Sequence, residues 1–520
     1  MLPIPIRRFL PAVLLLVLVL PLSAQSPAVE PVDLDAIARI KDEAFERSQV
    51  MDTLSYLTDL HGPRLTNSPN MHAAAAYVRE RLGESGIDVR FEPWGTFGRG
   101  WANEHTALHV TSPTRWPVVG FPKAWTPGTD GPLAAEVVAA PIASDDDFAA
   151  YEGKLKGRWV LLSPERPVRS LFTAPARRHT DESLAQIATE VPAPSPRATP
   201  ATAATEFRAR RMKFLVDQGA VGIIEVSPAD RNDNLTVRVQ GPLSGEGTRH
   251  PDDPPPLPHL VLAAEHYHRM LRLLRLGQTV TFEADVRNRF FDDSLEAYNI
   301  VAELPGTDPA GELVLLGAHF DSWHAGTGAT DNAGSVAVVM EVMRILKATG
   351  LPLRRTVRMV LWTGEEQGLL GSRAYVREHF GDPETMTLKP EHAKVSAYFN
   401  QDNGAGGYRG VYLQGNEAVA PIFEAWMRPF ANLGMTTLSI RDTMSTDHVP
   451  FNEVGLPGFQ FIQDPMDYGT WTHHTQQDLY ERIDPQDMRK NVAIMASFVY
   501  HAANRDELLP RRPLPAPQQP

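Results

Sequence analysis

The stretch LVLLGAHFDSWHAGTGATDNAGSVAVVMEVMRILKATG, residues 313–350, decides the fold. It opens on Leu313–Ala318, an almost unbroken apolar run. A strand buried on both faces of a parallel sheet has this character. A Gly-rich turn follows, then a pattern that predicts a long helix over 332–349. Val336, Met340, Met343, Ile345 and Leu346 can supply its buried side, and Gly350 and Pro352 end it. The same alternation recurs downstream. Residues 357–363 and 394–401 read as strands, and 368–379, 418–433 and 485–503 as helices. This predicts an α/β fold: a mostly parallel central sheet with helices on both faces. In such sheets, sites form at the carboxyl ends of strands.

The chain of 520 residues is too long for one compact domain. Residues 33–60 read as helical until His61-Gly62-Pro63 breaks the pattern. SPNMHAAAAYVRERLGESG, residues 68–86, reads as a helix capped by Ser68 with Pro69 at its first position. IDVRFEPW, residues 87–94, then alternates like a strand. Residues 25–114 are therefore assigned to an N-terminal helical segment that contributes to the main domain, 291–508. Residues 115–290 are rich in Pro and Gly, with short apolar strands at 158–163 and 220–226. They predict a separate, inserted, β-rich domain. Within it, 173–205 is dominated by Ala, Pro and Thr and reads as a mobile loop. Residues 509–520 form a Pro-rich tail.

Composition narrows the chemistry. There is no cysteine, so thiolate zinc sites, disulfides and cysteine nucleophiles are excluded. Any metal must be held by His, Asp and Glu, which suit zinc, manganese or cobalt. The net charge of −13 argues against a nucleic-acid partner. Arg7 and Arg8 precede the apolar run 10–22, and Ser23 and Ala24 follow it. This is the layout of a cleaved secretory signal over 1–24, which would place the protein in the periplasm or outside the cell. The alternative, a membrane anchor, needs a longer run. No stable anchor is expected after cleavage.

Several residues at predicted strand ends can carry chemistry, and each has an ordinary structural reading. His319 ends the first strand, and Asp321 could fix its ring through the second nitrogen. Asp331 precedes the long helix and could simply cap it. Alternatively, its carboxylate could bridge two cations. Glu365 and Glu366 follow a buried strand directly. Adjacent side chains point apart, so one can bind metal while the other acts as general base; a solvated turn is the plainer reading. Asp402 lies in an Asp-Asn-Gly turn, and His473 and His474 form a pair that could be mere surface. Taken together, two histidines and three carboxylates at one sheet edge fit a carboxylate-bridged two-metal site.

The segments GAHFDSWHAGTGATDNAGS, LWTGEEQGLLGS, FNQDNGAG, STDHVPF and THHTQQD, in this order, resemble the co-catalytic zinc exopeptidases of the bacterial leucyl aminopeptidase type. The likeness is strongest to the carboxypeptidase Q (plasma glutamate carboxypeptidase) branch and covers about residues 295–512 well. It implies two zinc ions and a peptide substrate. His319 and Asp402 would hold one ion, Glu366 and His474 the other, and Asp331 would bridge them. Glu365 would be general base and then acid, and Asp321 the partner of His319. Many simple aminopeptidases have Tyr before the last His ligand as an oxyanion stabiliser. Here the position is His473, which either takes that part or only packs beside its neighbour. Asp447 and His448 match a motif near the substrate pocket, with no role assigned. FRARRMKFLVDQGAVGIIEV, residues 207–226, resembles the protease-associated domain. Dimers are common in the resembling family. Two other readings share the scaffold: a glutaminyl-peptide cyclotransferase, which typically keeps one zinc, and a non-catalytic, receptor-like homologue, which loses ligands or base.

Overall fold

The computed structural model describes residues 30–168, 170–190, 202–246, 249–253, 256–307 and 311–518. The signal segment assigned to 1–24 lies outside the described residues, as do 191–201 of the stretch expected to be mobile. Among the described residues no helix is long and apolar enough to cross a membrane.

The quoted stretch folds as read. Leu313–His319 is a strand buried along its whole length, and Gly334–Thr349 is a helix ended by Gly350 at φ 58°. The strand lies at the centre of an eight-stranded sheet. It runs parallel to Thr356–Trp362 on one side and Val395–Asn400 on the other. Gly458–Gln463 continues the parallel centre. The flanks depart from the expected mostly parallel sheet. Glu296–Leu304 pairs antiparallel with Thr356–Trp362, and Val89–Thr96 antiparallel with Glu296–Leu304. Tyr408–Tyr412 also meets Gly458–Gln463 antiparallel. The sheet is therefore mixed.

One face of the sheet is covered by Gly334–Thr349, Pro485–Asn504 and Leu34–Glu46, whose buried Val336, Val339, Met343, Val492, Met495, Ile37 and Ile40 share one core with Leu316 and Ala318. Leu370–His379 covers the other, packing Tyr375 and Val376 on Leu315 and Trp362. Pro69–Glu84 is capped as expected: Ser68 Oγ accepts from Met71 N at 3.2 Å.

The chain leaves this body after Thr96 and returns at Glu296, so the insertion starts earlier than residue 115. Its long strands Gly100–Ser112 and Thr281–Phe291 pair antiparallel and anchor a second eight-stranded sheet. The rest of that sheet has a parallel run, Leu133–Ala139, Trp159–Leu161, Gly222–Val226 and His259–Leu262. With helices Thr202–Asp217 and Ala264–Arg275 it is an α/β layer rather than a purely β-rich one. Part of the stretch expected to be a mobile loop is the helix Asp181–Thr189. It is tied to the main body: Ser439 Oγ donates to the Ile187 carbonyl at 2.7 Å, and Arg178 pairs with Asp464 and Asp487 at 2.9 and 2.6 Å. The Pro-rich tail also packs down, with Arg511 donating to the Val395 carbonyl at 2.6 Å.

Gly317 shows how tight the sheet centre is. A Cβ there would stand 2.5 Å from the Val360 carbonyl oxygen and 2.8 Å from the Tyr398 hydroxyl. Overpacking of this kind costs about 1–3 kcal/mol. Gly317→Ala should lower the urea midpoint of unfolding accordingly; an unchanged midpoint would show that the sheet centre has slack.

Candidate active site

The parallel register delivers the predicted residues to one edge. His319 lies opposite Trp362, and Gly317 opposite Asn400, so the turns bearing Glu365, Glu366 and Asp402 emerge beside His319. Gly364 makes the first of these turns at φ 74°, where glycine carries no Cβ penalty. Asp331 does not cap the helix. It sits in an extended conformation, φ −137° and ψ 80°, before the helix begins at Gly334. His474 comes from the segment before the last helix and adopts φ 63°, unusual for a non-glycine residue and typical of functional positions.

The five predicted ligands converge. Asp331 Oδ1 is 3.2 Å from His319 Nε2, which is 3.4 Å from Asp402 Oδ1. Asp331 Oδ2 is 3.2 Å from His474 Nε2, which is 2.9 Å from Glu366 Oε2. One carboxylate thus faces two separate donor pairs with its two oxygens. His473 Nε2 joins the second group at 3.7 Å from Asp331 Oδ2. His319, Asp331 and Asp402 form one potential metal cluster, and Asp331, His473 and His474 another. All line a cleft of ≈ 490 Å³, together with Glu365, Tyr468 and Gln240.

Supporting bonds orient these groups. His319 Nδ1 is bonded to the Asp321 main-chain oxygen at 2.9 Å, leaving Nε2 for the site. Asp321 is thus the partner of the ring's second nitrogen through its main-chain oxygen, and its carboxylate is turned elsewhere. It accepts instead from the Glu365 and Glu366 amides at 3.2 and 3.3 Å and from Thr66 Oγ1 at 2.8 Å. Asp321 therefore braces the Glu365-Glu366 turn. Asp478 braces the other side, accepting from Thr330 N at 2.6 Å and Asp331 N at 3.1 Å. Gln460 and Gln463 donate to the Asp402 carbonyl at 2.8 and 2.5 Å. Arg64, fully buried, donates to the carbonyls of Phe320, Thr327 and Gly328 at 3.0 Å each, fixing the loop between His319 and Asp331. His448 bonds the Thr443 carbonyl at 3.0 Å, and burial lowers it to about 4, which favours the neutral ring.

The electrostatics are those of a site built for positive charge. Burial pushes Glu366 up to about 7 despite the nearby His474. It holds Glu365 well above the usual carboxylate range, opposed by His319 and reinforced by Asp402, Asp447 and Glu366. Burial would lower His319 and His474, but their carboxylate neighbours outweigh it: His319 is held well above its ordinary value and His474 rises to about 9. Burial, with His474 and Arg231 adding to it, drops His473 to about 3, so that ring is neutral. Glu366 Oε1 is buried with no hydrogen-bond partner among the described residues. Buried oxygens with no donor are costly unless a cation meets them. Oxygen and imidazole donors in two sets sharing one carboxylate fit two zinc ions.

The sequence reading did not single out Arg64, Tyr468 or Arg231. Tyr468 stacks on His473, centroids 4.7 Å apart, and Arg231 contacts the same ring from the inserted body. Asp478 had a signal, its place just after the His pair, but its clamp on Asp331 is visible only in three dimensions.

Residues 299–499 match the family described as Peptidase family M28. Carboxypeptidase Q of Homo sapiens is 29% identical over 486 residues, 92% of this chain and 89% of that protein. The crystal structure of a peptidase M28 precursor from Shewanella amazonensis SB2B is 25% identical and superposes with a TM-score of 0.65, covering 93% of this chain and 98% of that one. A zinc aminopeptidase from Bacillus subtilis, at 20% identity and a TM-score of 0.55 over 88% of this chain and 95% of that one, shares the fold. Two donor clusters at one edge of the sheet, with the match of residues 299–499 to Peptidase family M28, mark a zinc-dependent metallopeptidase homologous to bacterial aminopeptidases and distantly to carboxypeptidase Q.

Proposed function

We propose that the chain is an exported exopeptidase with two zinc ions that hydrolyses dipeptides or short peptides. The observation that carries this is Asp331, whose two oxygens face His319 with Asp402 and His474 with Glu366. In this reading Asp331 would be shared by the two ions, and His319, Asp402, Glu366 and His474 would complete their holds. Bound zinc supplies Lewis-acid polarisation of the scissile carbonyl and an acidified water. Glu365 lines the same cleft without belonging to either cluster, its Oε2 4.0 Å from His319 Nε2. Its raised affinity for protons suits a general base that takes the water's proton and then returns it to the leaving amine. The Asp321 carboxylate accepts from the Glu365 and Glu366 amides and so holds the turn that keeps the two side chains on their separate tasks. His473, neutral and facing the cleft, is placed to donate to the developing oxyanion.

The cleft volume suits a short peptide. At its rim Arg373 pairs with Glu453 at 2.8 Å, offering a partner to a substrate carboxylate or ammonium respectively. The likeness to carboxypeptidase Q favours dipeptidase or carboxypeptidase action over aminopeptidase action. A cyclotransferase with a single zinc would leave one of the two donor pairs without use. The helix Thr202–Asp217 leading into the buried strand Gly222–Val226 supports a protease-associated-like insertion that restricts the cleft to small substrates.

Two outcomes are expected. Glu365→Gln should keep its zinc and lose roughly 10²–10⁴-fold in kcat; turnover at the wild-type rate would remove Glu365 from the role of base. Mass spectrometry of a tetrapeptide digest by the zinc-loaded protein should show residues lost from the carboxyl end. Loss from the amino end would make it an aminopeptidase, and a metal-loaded, folded protein that cleaves no peptide would refute the proposal.

A further inference from the structure

The loop between the second-sheet strands Gly222–Val226 and His259–Leu262 reaches across to the segment that carries both active-site histidines. Val239 N donates to the His474 carbonyl at 3.2 Å, and Asn232 N to the Thr470 carbonyl at 2.8 Å. Val237 N donates to Gln476 Oε1 at 2.8 Å, and Gln476 Nε2 returns a bond to the Leu235 carbonyl at 2.9 Å. Arg238 and Thr475 form an antiparallel bridge. The inserted body is thus bonded, residue by residue, to the loop that presents His473 and His474.

From this loop Arg231 extends to His473. Its Nη2 meets His473 Nδ1, and its Nε donates to the His473 carbonyl at 3.4 Å. The guanidinium is itself fixed, with Nη1 donating to the Asp230 carbonyl at 2.9 Å. A guanidinium has only donors and does not deprotonate. His473 Nδ1 must therefore be an acceptor. In a neutral imidazole the proton then resides on Nε2, the atom that faces the cleft, 3.7 Å from Asp331 Oδ2. Stacking of Tyr468 at an interplanar angle of 18° holds the ring plane.

We infer that Arg231 is a positioning residue for peptide hydrolysis, fixing His473 as the Nε2–H tautomer so that it presents a hydrogen-bond donor to the cleft. This rests on the reading of His473 as the oxyanion donor. A tyrosine in that place has one proton and needs no such setting. A histidine has two tautomers, and only one of them donates into the site. The inserted body thereby completes the active site rather than merely covering it.

The test is histidine-selective ¹⁵N NMR on the full-length, zinc-loaded protein, with the His473 signals assigned through His473→Gln. The expected result is a protonated Nε2 in the wild type and in Arg231→Lys, which keeps a donor, and a mixture of tautomers in Arg231→Met. In parallel, kcat of Arg231→Met should fall roughly ten- to hundredfold, as for other residues that orient a catalytic histidine, with KM and zinc content unchanged. Arg231→Lys should recover most of the loss. A protonated Nδ1 in the wild type, or one tautomer shared by all three proteins, would overturn the inference. So would a loss confined to KM or to zinc content, which would mark Arg231 as a tether of the loop. Were Arg231→Met not to fold, the wild type and Arg231→Lys still decide the tautomer. Were the protein to cleave no peptide, the proposed function would fall while the NMR comparison still decided this point.

Discussion

The two-faced carboxylate of Asp331 is the constraint on which the rest of the site depends. It is buried, and its oxygens stand at 3.2 Å from imidazoles on opposite sides. Burial alone would raise its pKa, yet the hydrogen bonds from His319 and His474 keep it well below the usual range. A charge fixed in such a place must be held from behind as well as met from in front. Asp478 holds the main chain of Thr330 and Asp331, and Arg64 gathers the carbonyls of the loop that leads to it. Both are buried, so the loop between strand and helix is as determined as the sheet itself.

The sheet sets the second constraint. Parallel register between Leu313–His319 and its two neighbours aligns three strand ends, and each end is followed by a turn that carries acid. Burial raises the proton affinity of Glu365 and Glu366, and the carboxylates gathered beside them, Asp402 for the first and Asp331 for the second, add to it. The same crowding favours divalent cations and, in the proposed function, suits Glu365 to the part of a base. Ligand binding and proton transfer are two consequences of a single arrangement of charge.

Much of this was legible in the sequence because it is local. The apolar run before His319, the Gly-rich turn to Asp331 and the acid pair after a buried strand each report their own position. Five such segments at strand ends imply a shared edge once the sheet is parallel. What was not legible depends on long-range contact. Arg231 and His473 are 242 residues apart, and nothing in the composition of either segment marks the pair. Asp321 was read as the partner of the His319 ring, and it is one through its main-chain oxygen; the bonds of its carboxylate to the Glu365 and Glu366 amides, 44 and 45 residues on, had no local signal. The antiparallel edges of the sheet were missed for a similar reason. Strand direction depends on connections, and here the connection from Thr96 to Glu296 is an entire folded body. The Ala, Pro and Thr composition around residue 180 suggested a loose loop, whereas ion pairs from Arg178 dock the segment before its helix.

The most direct test of the account is anomalous scattering at the zinc edge from crystals of the zinc-loaded protein. Two peaks about 3.5–4 Å apart are expected, with one oxygen of Asp331 on each. His319 and Asp402 should hold one ion, and His474 and Glu366 the other. A single peak, or two ions with Asp331 bound to only one of them, would contradict the shared carboxylate from which the rest of the reading follows.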